Sequence, residues 1–357
     1  MLLACLVSFV VSVLLILHTP LVSVFMARLG AFPPTVGLLS GIGPVLYAVA
    51  TPLFGIASGR LGERKMVVLS LVTLAAAYVA LPLASTVFEV AVIAAVSVIA
   101  YAAFWPPIES LFSRRGGSVS SFSTAWSSGT LAGSLLVSPL LLVLRRAFWC
   151  MACLSAAMAF LSLLLGESSE REETLSLNDV VRGVRESPQA WAWAFSYATV
   201  LGAVFTFYPL IVELLALPSW YTSLVLFSLV GARTLVFSLF GRIPRALSSP
   251  HVGSALLLLT ALIPFARNPL ALSLASATVG AGTGILYARS LASAFSSEPG
   301  KRAVYTGLFE SFIGLGYAAG PVVAGAASSL SLSAAIPAAA ALSVAVCYLS
   351  ASASKRR

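Results

Sequence analysis

Charge is scarce in this sequence. Only 9% of its 357 residues are Asp, Glu, Lys or Arg, against about a quarter in soluble globular domains. Asp occurs once, at Asp179, and His twice, at His18 and His251. So few acids and imidazoles leave no group with metal-ligand spacing, so neither a metal nor another cofactor is expected. H-E-x-x-H, G-x-x-x-x-G-K-[ST] and G-x-S-x-G are all missing. Without the phosphate-cradling loop the chain has no usual site for ATP hydrolysis, and no enzyme is expected. The four cysteines, Cys5, Cys150, Cys153 and Cys347, fall in apolar segments. Cys150 and Cys153 have a C-x-x-C spacing, but no second pair accompanies them. They read as thiols in lipid-facing or packed helices.

What fills the chain instead is apolar: 59% hydrophobic residues. A bilayer core needs roughly 20 apolar residues per helical crossing. Twelve such segments are readable, at 2–25, 35–57, 66–86, 88–112, 119–142, 147–166, 190–213, 219–240, 252–266, 269–296, 302–328 and 331–351. The ninth is the weakest, because Pro264, Arg267, Asn268 and Pro269 crowd its end. The first lacks a basic leader and reads as a span, not a cleaved signal. The fold class is therefore an all-α integral membrane protein. The net charge of +9 does not point to nucleic acid, because the bases sit in short loops between spans. With residue 1 placed in the cytoplasm, fifteen of the 21 Lys and Arg fall in cytoplasmic loops and termini, and four in outer loops. That asymmetry puts both termini inside a multi-pass cytoplasmic membrane protein. One long polar segment, 167–189, divides the chain into six spans at 1–166 and six at 190–357. It reads as a solvated cytoplasmic linker, with 178–185 as an amphipathic alternative.

The halves carry matching features. Glu109-Ser110-Leu111 in span 4 pairs with Arg289-Ser290-Leu291 in span 10, offset by 180 residues, and Ser138-Pro139 with Gly320-Pro321, offset by 182. Between spans 2 and 3 lies Gly55-Ile56-Ala57-Ser58-Gly59-Arg60-Leu61-Gly62-Glu63-Arg64-Lys65, a basic turn of about ten residues bearing three glycines. It resembles the signature loop of the major facilitator superfamily, Gly-x-Leu-Ala-Asp-Arg-x-Gly-Arg-Arg/Lys. Gly55, Arg60, Gly62 and Arg64 match in register. Gly59 stands where the pattern has Asp, and Glu63 where it has a base. The glycines of span 11, with Gly316, Gly320 and Pro321 at their centre, resemble the Gly-Pro motif that antiporters of the family carry on helix 5. Small residues at such spacings let helices pack closely.

The resemblance implies two pseudo-symmetric six-helix bundles and a secondary transporter working by alternating access. It implies a small-molecule substrate in a central cavity lined by spans 1, 4, 7 and 10. Tyr101, Trp105, Trp193, Tyr197 and Tyr287 stand on those spans as candidate cavity residues. Four intramembrane charges, Glu109, Arg233, Arg289 and Glu310, read first as ion pairs closing an inner gate and second as a substrate or proton site. Glu109 with Arg289 is the expected cross-half pair, Arg64 is expected to reach Glu109 or Glu310, and Arg289 would admit an anionic group. Glu89 and Glu213 read as solvated helix ends. The function expected is proton-coupled efflux of an amphipathic compound by a monomer. Uptake of a sugar or organic acid, and a sensor or scaffold that moves nothing, are the alternatives.

Overall fold

In lipid every backbone N–H and C=O must find its partner within the chain, so apolar spans of this length become helices. The computed structural model describes residues 2–114, 119–166, 177–295 and 302–354, and they contain no strand. The first six helices are α1 (Leu2–Arg28), α2 (Pro33–Leu61), α3 (Glu63–Ala80), α4 (Val87–Arg114), α5 (Val119–Leu142) and α6 (Leu144–Ser162). The short α7 (Leu177–Glu186) precedes α8 (Pro188–Leu214), α9 (Trp220–Leu239), α10 (Pro250–Leu257), α11 (Pro269–Phe295), α12 (Arg302–Ser328) and α13 (Ala335–Ser354). Eleven of these are long and apolar enough to cross a membrane among the described residues. The chain is a multi-pass membrane protein of two six-helix halves, α1–α6 and α8–α13.

The remaining span, the ninth in order, is the short one. Ser249 caps α10, accepting a hydrogen bond from Val252 N at 3.4 Å, and Pro250 starts it. Regular α-helix stops at Leu257, and a 3-10 turn carries the chain to Leu262. Pro264, which cannot donate to a preceding turn, keeps the helix from resuming beyond that turn. The loop between α2 and α3 differs from expectation in the other direction. Instead of a ten-residue turn, α2 runs to Leu61 and α3 starts at Glu63. Gly62 alone makes the break, at φ +94, a conformation glycine reaches at little cost. The polar segment also holds more structure than a solvated linker. Its helix α7 is pinned by Trp191 Nε1 donating to Gly183 O at 3.1 Å and by Tyr305 Oη donating to Glu186. Residues 167–176 of that segment lie outside the described residues.

Small residues set the spacing within each half. On α5, Gly129 and Gly133 lie against α1 at Ser12 and Val13, and on α12, Gly316 and Gly320 lie against α8 at Ala198 and Ala203. Each pair is four residues apart, and each faces the first helix of its own half. The packing therefore relates α5 to α12 at an offset of 187 residues (129 to 316, 133 to 320), replacing the offset of 182 read from Pro139 and Pro321.

The halves meet along two seams. In the first, α2 crosses α12: a Cβ on Gly37 would lie 2.6 Å from Gly325 Cα, and one on Gly314 would lie 2.9 Å from Ala48 Cβ. Pro321 packs there too, beside Gly37 and Gly202. In the second, α5 meets α9 through hydroxyls. Ser138 Oγ donates to Ser219 O at 2.7 Å, Ser223 N donates to Ser138 Oγ at 2.9 Å, and Ser127 and Thr234 share a hydrogen bond of 2.7 Å.

The packing makes a direct expectation. Gly320→Ala places a methyl 2.8 Å from Ala203 N, and forced overpacking costs about 1–3 kcal/mol. Its melting temperature in detergent should fall. Gly307→Ala, whose added methyl meets nothing within 4 Å, should melt unchanged or slightly higher. Equal melting of the two variants would show that the glycine contacts on α12 do not set the spacing.

Candidate functional site

The site grows from the α2–α12 seam. Close approach of the two backbones brings Tyr47 on α2 beside Glu310 on α12, with Tyr47 Oη donating to the carboxylate at 2.8 Å. One residue further along each helix, Ser311 Oγ donates to Ala48 O at 2.9 Å. Glu109 on α4 lies within electrostatic reach of Glu310 and Tyr47. The two acids come from opposite halves, and both are half-buried. Among the described residues neither pairs with a Lys or Arg. Carboxylates at membrane depth are expensive and usually have work to do.

Beyond the acids an aromatic wall spans the two halves. Tyr287 on α11 stands at its centre. Its ring centroid is 5.2 Å from Tyr197, 4.7 Å from Phe237, 5.2 Å from Phe309 and 6.0 Å from Trp126. Arg233 on α9 lies behind Trp126 and Phe237, its guanidinium carbon 5.5 and 5.8 Å from their centroids. The result is one neighbourhood with two acids, one cation and a set of aromatic faces, built by α2, α4, α5, α8, α9, α11 and α12.

Of the residues singled out from sequence, Glu109, Glu310, Arg233, Tyr197 and Tyr287 come together here. Others lie elsewhere. Arg289 does not meet Glu109. Its Nε donates to Ser248 O and its second guanidinium nitrogen to Ser248 Oγ, each at 2.8 Å, and it stacks over Phe240 at 5.3 Å. It staples the α9–α10 connection inside one half, so the matching positions of Glu109 and Arg289 make no pair. Tyr101 is 1% exposed and shares a 2.6 Å hydrogen bond with Tyr78 beside His18, inside the first half. Trp105 packs edge-on against Phe104 and Phe122 in the same half. Trp193 borders a separate side cavity with His251, Ser254 and Tyr348. Tyr47, Trp126, Phe237, Phe309 and Tyr317 were not singled out from sequence. One signal was available: Phe237 follows Arg233 by four residues, one helical turn, where side chains touch.

The basic loop is tied to its own half. Arg64 donates to Leu165 O at 3.5 Å, and among the described residues no ion pair joins it to Glu109 or Glu310. Glu63, where the pattern has a base, is 6% exposed and accepts a hydrogen bond from Ser110 on α4. Gly55 packs near Pro106, and Arg60 is exposed. The opposite face is bound across the halves. Arg28 on α1 grips Glu213 on α8 with two hydrogen bonds of 2.7 and 3.0 Å, and donates a third to Leu141 O at 3.2 Å. Glu213 is therefore half of a cross-half ion pair and not a merely solvated helix end. Glu89 caps its own helix, accepting from Ser85 N at 2.8 Å.

The sequence matches the family model described as Major Facilitator Superfamily over residues 4–251, more than half of the chain. No curated protein sequence matches it. Among solved structures, the nucleoside transporter NupG superposes with a TM-score of 0.79 at 16% identity, covering 98% of each chain. The human organic anion transporter MFSD10 (TETRAN) gives 0.68 at 18% identity, covering 98% of this chain and 97% of that one. A bacterial homologue of the human lysosomal transporter Spinster, inward-facing and unoccupied, gives 0.72 at 13%, covering 98% and 94%.

The Arg28–Glu213 pair is partly exposed, 39% and 34%, and such pairs contribute about 0.2–1 kcal/mol. Glu213→Gln should therefore open that face modestly. Amide hydrogen exchange in 20–28 and 205–214 should quicken by up to about fivefold, with little change at the basic loop. Unchanged exchange would make the pair a surface contact that holds nothing shut.

Proposed function

Because this chain belongs to the major facilitator superfamily, a family of transporters and not of enzymes, we propose that it is a proton-coupled exporter of a small amphipathic organic solute. The single observation that carries this reading is the Tyr47–Glu310 contact with Glu109 beside it. It places two acids without a basic partner on the surface where the halves must separate and rejoin. Ionising both would set like charges close together in a medium of low dielectric. A proton held between them relieves that repulsion. When Glu310 is ionised it accepts from Tyr47 Oη, and when protonated it can give up its own proton instead. The protonation state and the α2–α12 contact are thereby linked.

The base asymmetry supports placing the basic loop and both termini in the cytoplasm, and the Arg28–Glu213 face outside. On that reading the described arrangement is held shut outside. Residues 1–166 and 190–357 would rock as a monomer's two bundles about a site near mid-membrane. The bundles deliver the solute outward and return with a proton. The aromatic wall suits a solute with an apolar body.

The test uses protein reconstituted in vesicles with an acidic lumen and a radiolabelled panel of organic solutes. Wild type should accumulate its solute in exchange for protons. Glu310→Gln and Glu109→Gln should lose accumulation at least tenfold yet keep solute-for-solute counterflow, which needs no net proton movement. Accumulation indifferent to the pH gradient, or unchanged in both variants, would remove proton coupling from the account.

A further inference from the structure

Arg233 is a buried cation with unused hydrogen-bonding capacity. It is 4% exposed. A terminal guanidinium nitrogen makes a long hydrogen bond, 3.4 Å, to Thr130 Oγ1 on the opposite half, and the Tyr317 hydroxyl lies beside it as a second partner. Its Nε has no partner. Among the described residues no carboxylate lies within ion-pair distance of it. Within spans such groups normally pair with an acid or with backbone carbonyls. Arg289 shows the contrast in this same chain, since Ser248 satisfies it twice.

The surroundings of Arg233 define what would complete it. Trp126 and Phe237 hold the guanidinium by their ring faces. Trp126, Phe237, Tyr287 and Tyr317 are each half-buried, so none of the four rings is fully enclosed. A guanidinium presents a planar fork of donors that matches a carboxylate in two-point fashion. Aromatic faces beside it suit a flat apolar body joined to that carboxylate. The seam matters as well: Thr130 belongs to α5 and Arg233 to α9, so an anion bound here would touch both halves at once.

We propose that Arg233 is the anion-recognising residue of the transport site, and that the solute class is aromatic organic monocarboxylates, carboxylate on Arg233 and ring against Trp126 and Tyr287. This rests on the transport reading but not on proton coupling. The residue that the sequence suggested for an anionic group, Arg289, is committed to the α9–α10 connection.

The experiment is equilibrium binding to the purified full-length chain in detergent, read by melting-temperature shift and by tryptophan fluorescence. The probes are benzoate, phenylacetate, 1-naphthoate and indole-3-acetate, each against its own primary amide. At least one carboxylate should bind the wild type tenfold or more tightly than its amide. Arg233→Gln should abolish that preference, and Arg233→Lys, which keeps the charge but not the fork, should retain part of it. Trp126→Leu should weaken the larger rings more than benzoate. Absence of binding by all four carboxylates, equal binding of acids and amides, or an unaltered preference in Arg233→Gln would each overturn the proposal. The wild-type comparison needs no variant to fold. Carboxylate binding in a protein whose accumulation ignores pH would uphold this proposal while removing proton coupling alone.

Discussion

Helices α2 and α12 come so close that an added methyl on Gly37 would lie 2.6 Å from the Cα of Gly325. Only small residues permit this, and in lipid, where apolar burial offers little drive between helices, close packing and hydrogen bonding take over. The site depends on that approach. It brings Tyr47 within 2.8 Å of Glu310 and Ser311 against Ala48, so a contact between halves becomes a contact between an acid and its donor. A wider spacing would part Glu310 from Tyr47. The α5–α9 seam plays the matching part opposite, where serines and threonines cross-link the halves and Arg233 reaches Thr130.

The charges divide into two kinds by what surrounds them. Arg28 with Glu213, Arg182 with Glu186, and Arg289 with Ser248 are satisfied and hold structure. Glu109, Glu310 and Arg233 lie at the centre, and the described residues give them hydroxyls and aromatic rings in place of opposite charges. Tyr287 touches Phe309, next to Glu310 in the chain, and Phe237, one helical turn from Arg233. A proton arriving at one end and an anion at the other would act on the same set of rings. That is a physical route for coupling which needs no long chain of intermediates.

Much of this was legible in the sequence because hydropathy and loop charge are local. Lipid demands helices of a certain length, so twelve segments could be counted. The structure shifts one chiefly where a 3-10 turn and Pro264 follow the short α10. Intramembrane charge is rare enough that Glu109, Glu310 and Arg233 stood out unaided. Their partners did not. Tyr47 meets Glu310 across 263 residues, a separation at which no periodicity operates, and aromatics on α5, α9 and α12 look like any lipid-facing ring until the helices are packed. Glu109 and Arg289 stand apart in this arrangement, with Arg289 on Ser248: equivalent positions in two repeats share depth, but whether they face each other depends on how each helix is rotated and on which face is closed. Glu63 shows the converse. Its departure from the family pattern was visible, but its use, accepting from Ser110 to tie α3 to α4, was not.

Paired spin-label distances distinguish alternating access about the two seams from a rigid bundle. One pair, at Gly59 and Gly241, reports the basic-loop face. The other, at Phe32 and Leu215, reports the face held by Arg28 and Glu213. Measured on the full chain in lipid nanodiscs across pH, each pair should show two populated distances. Conditions that lengthen the first pair should shorten the second, because a bundle that rocks about a fixed seam cannot open both faces together. A single distance for each pair at every pH, or lengthening of both together, would contradict the account.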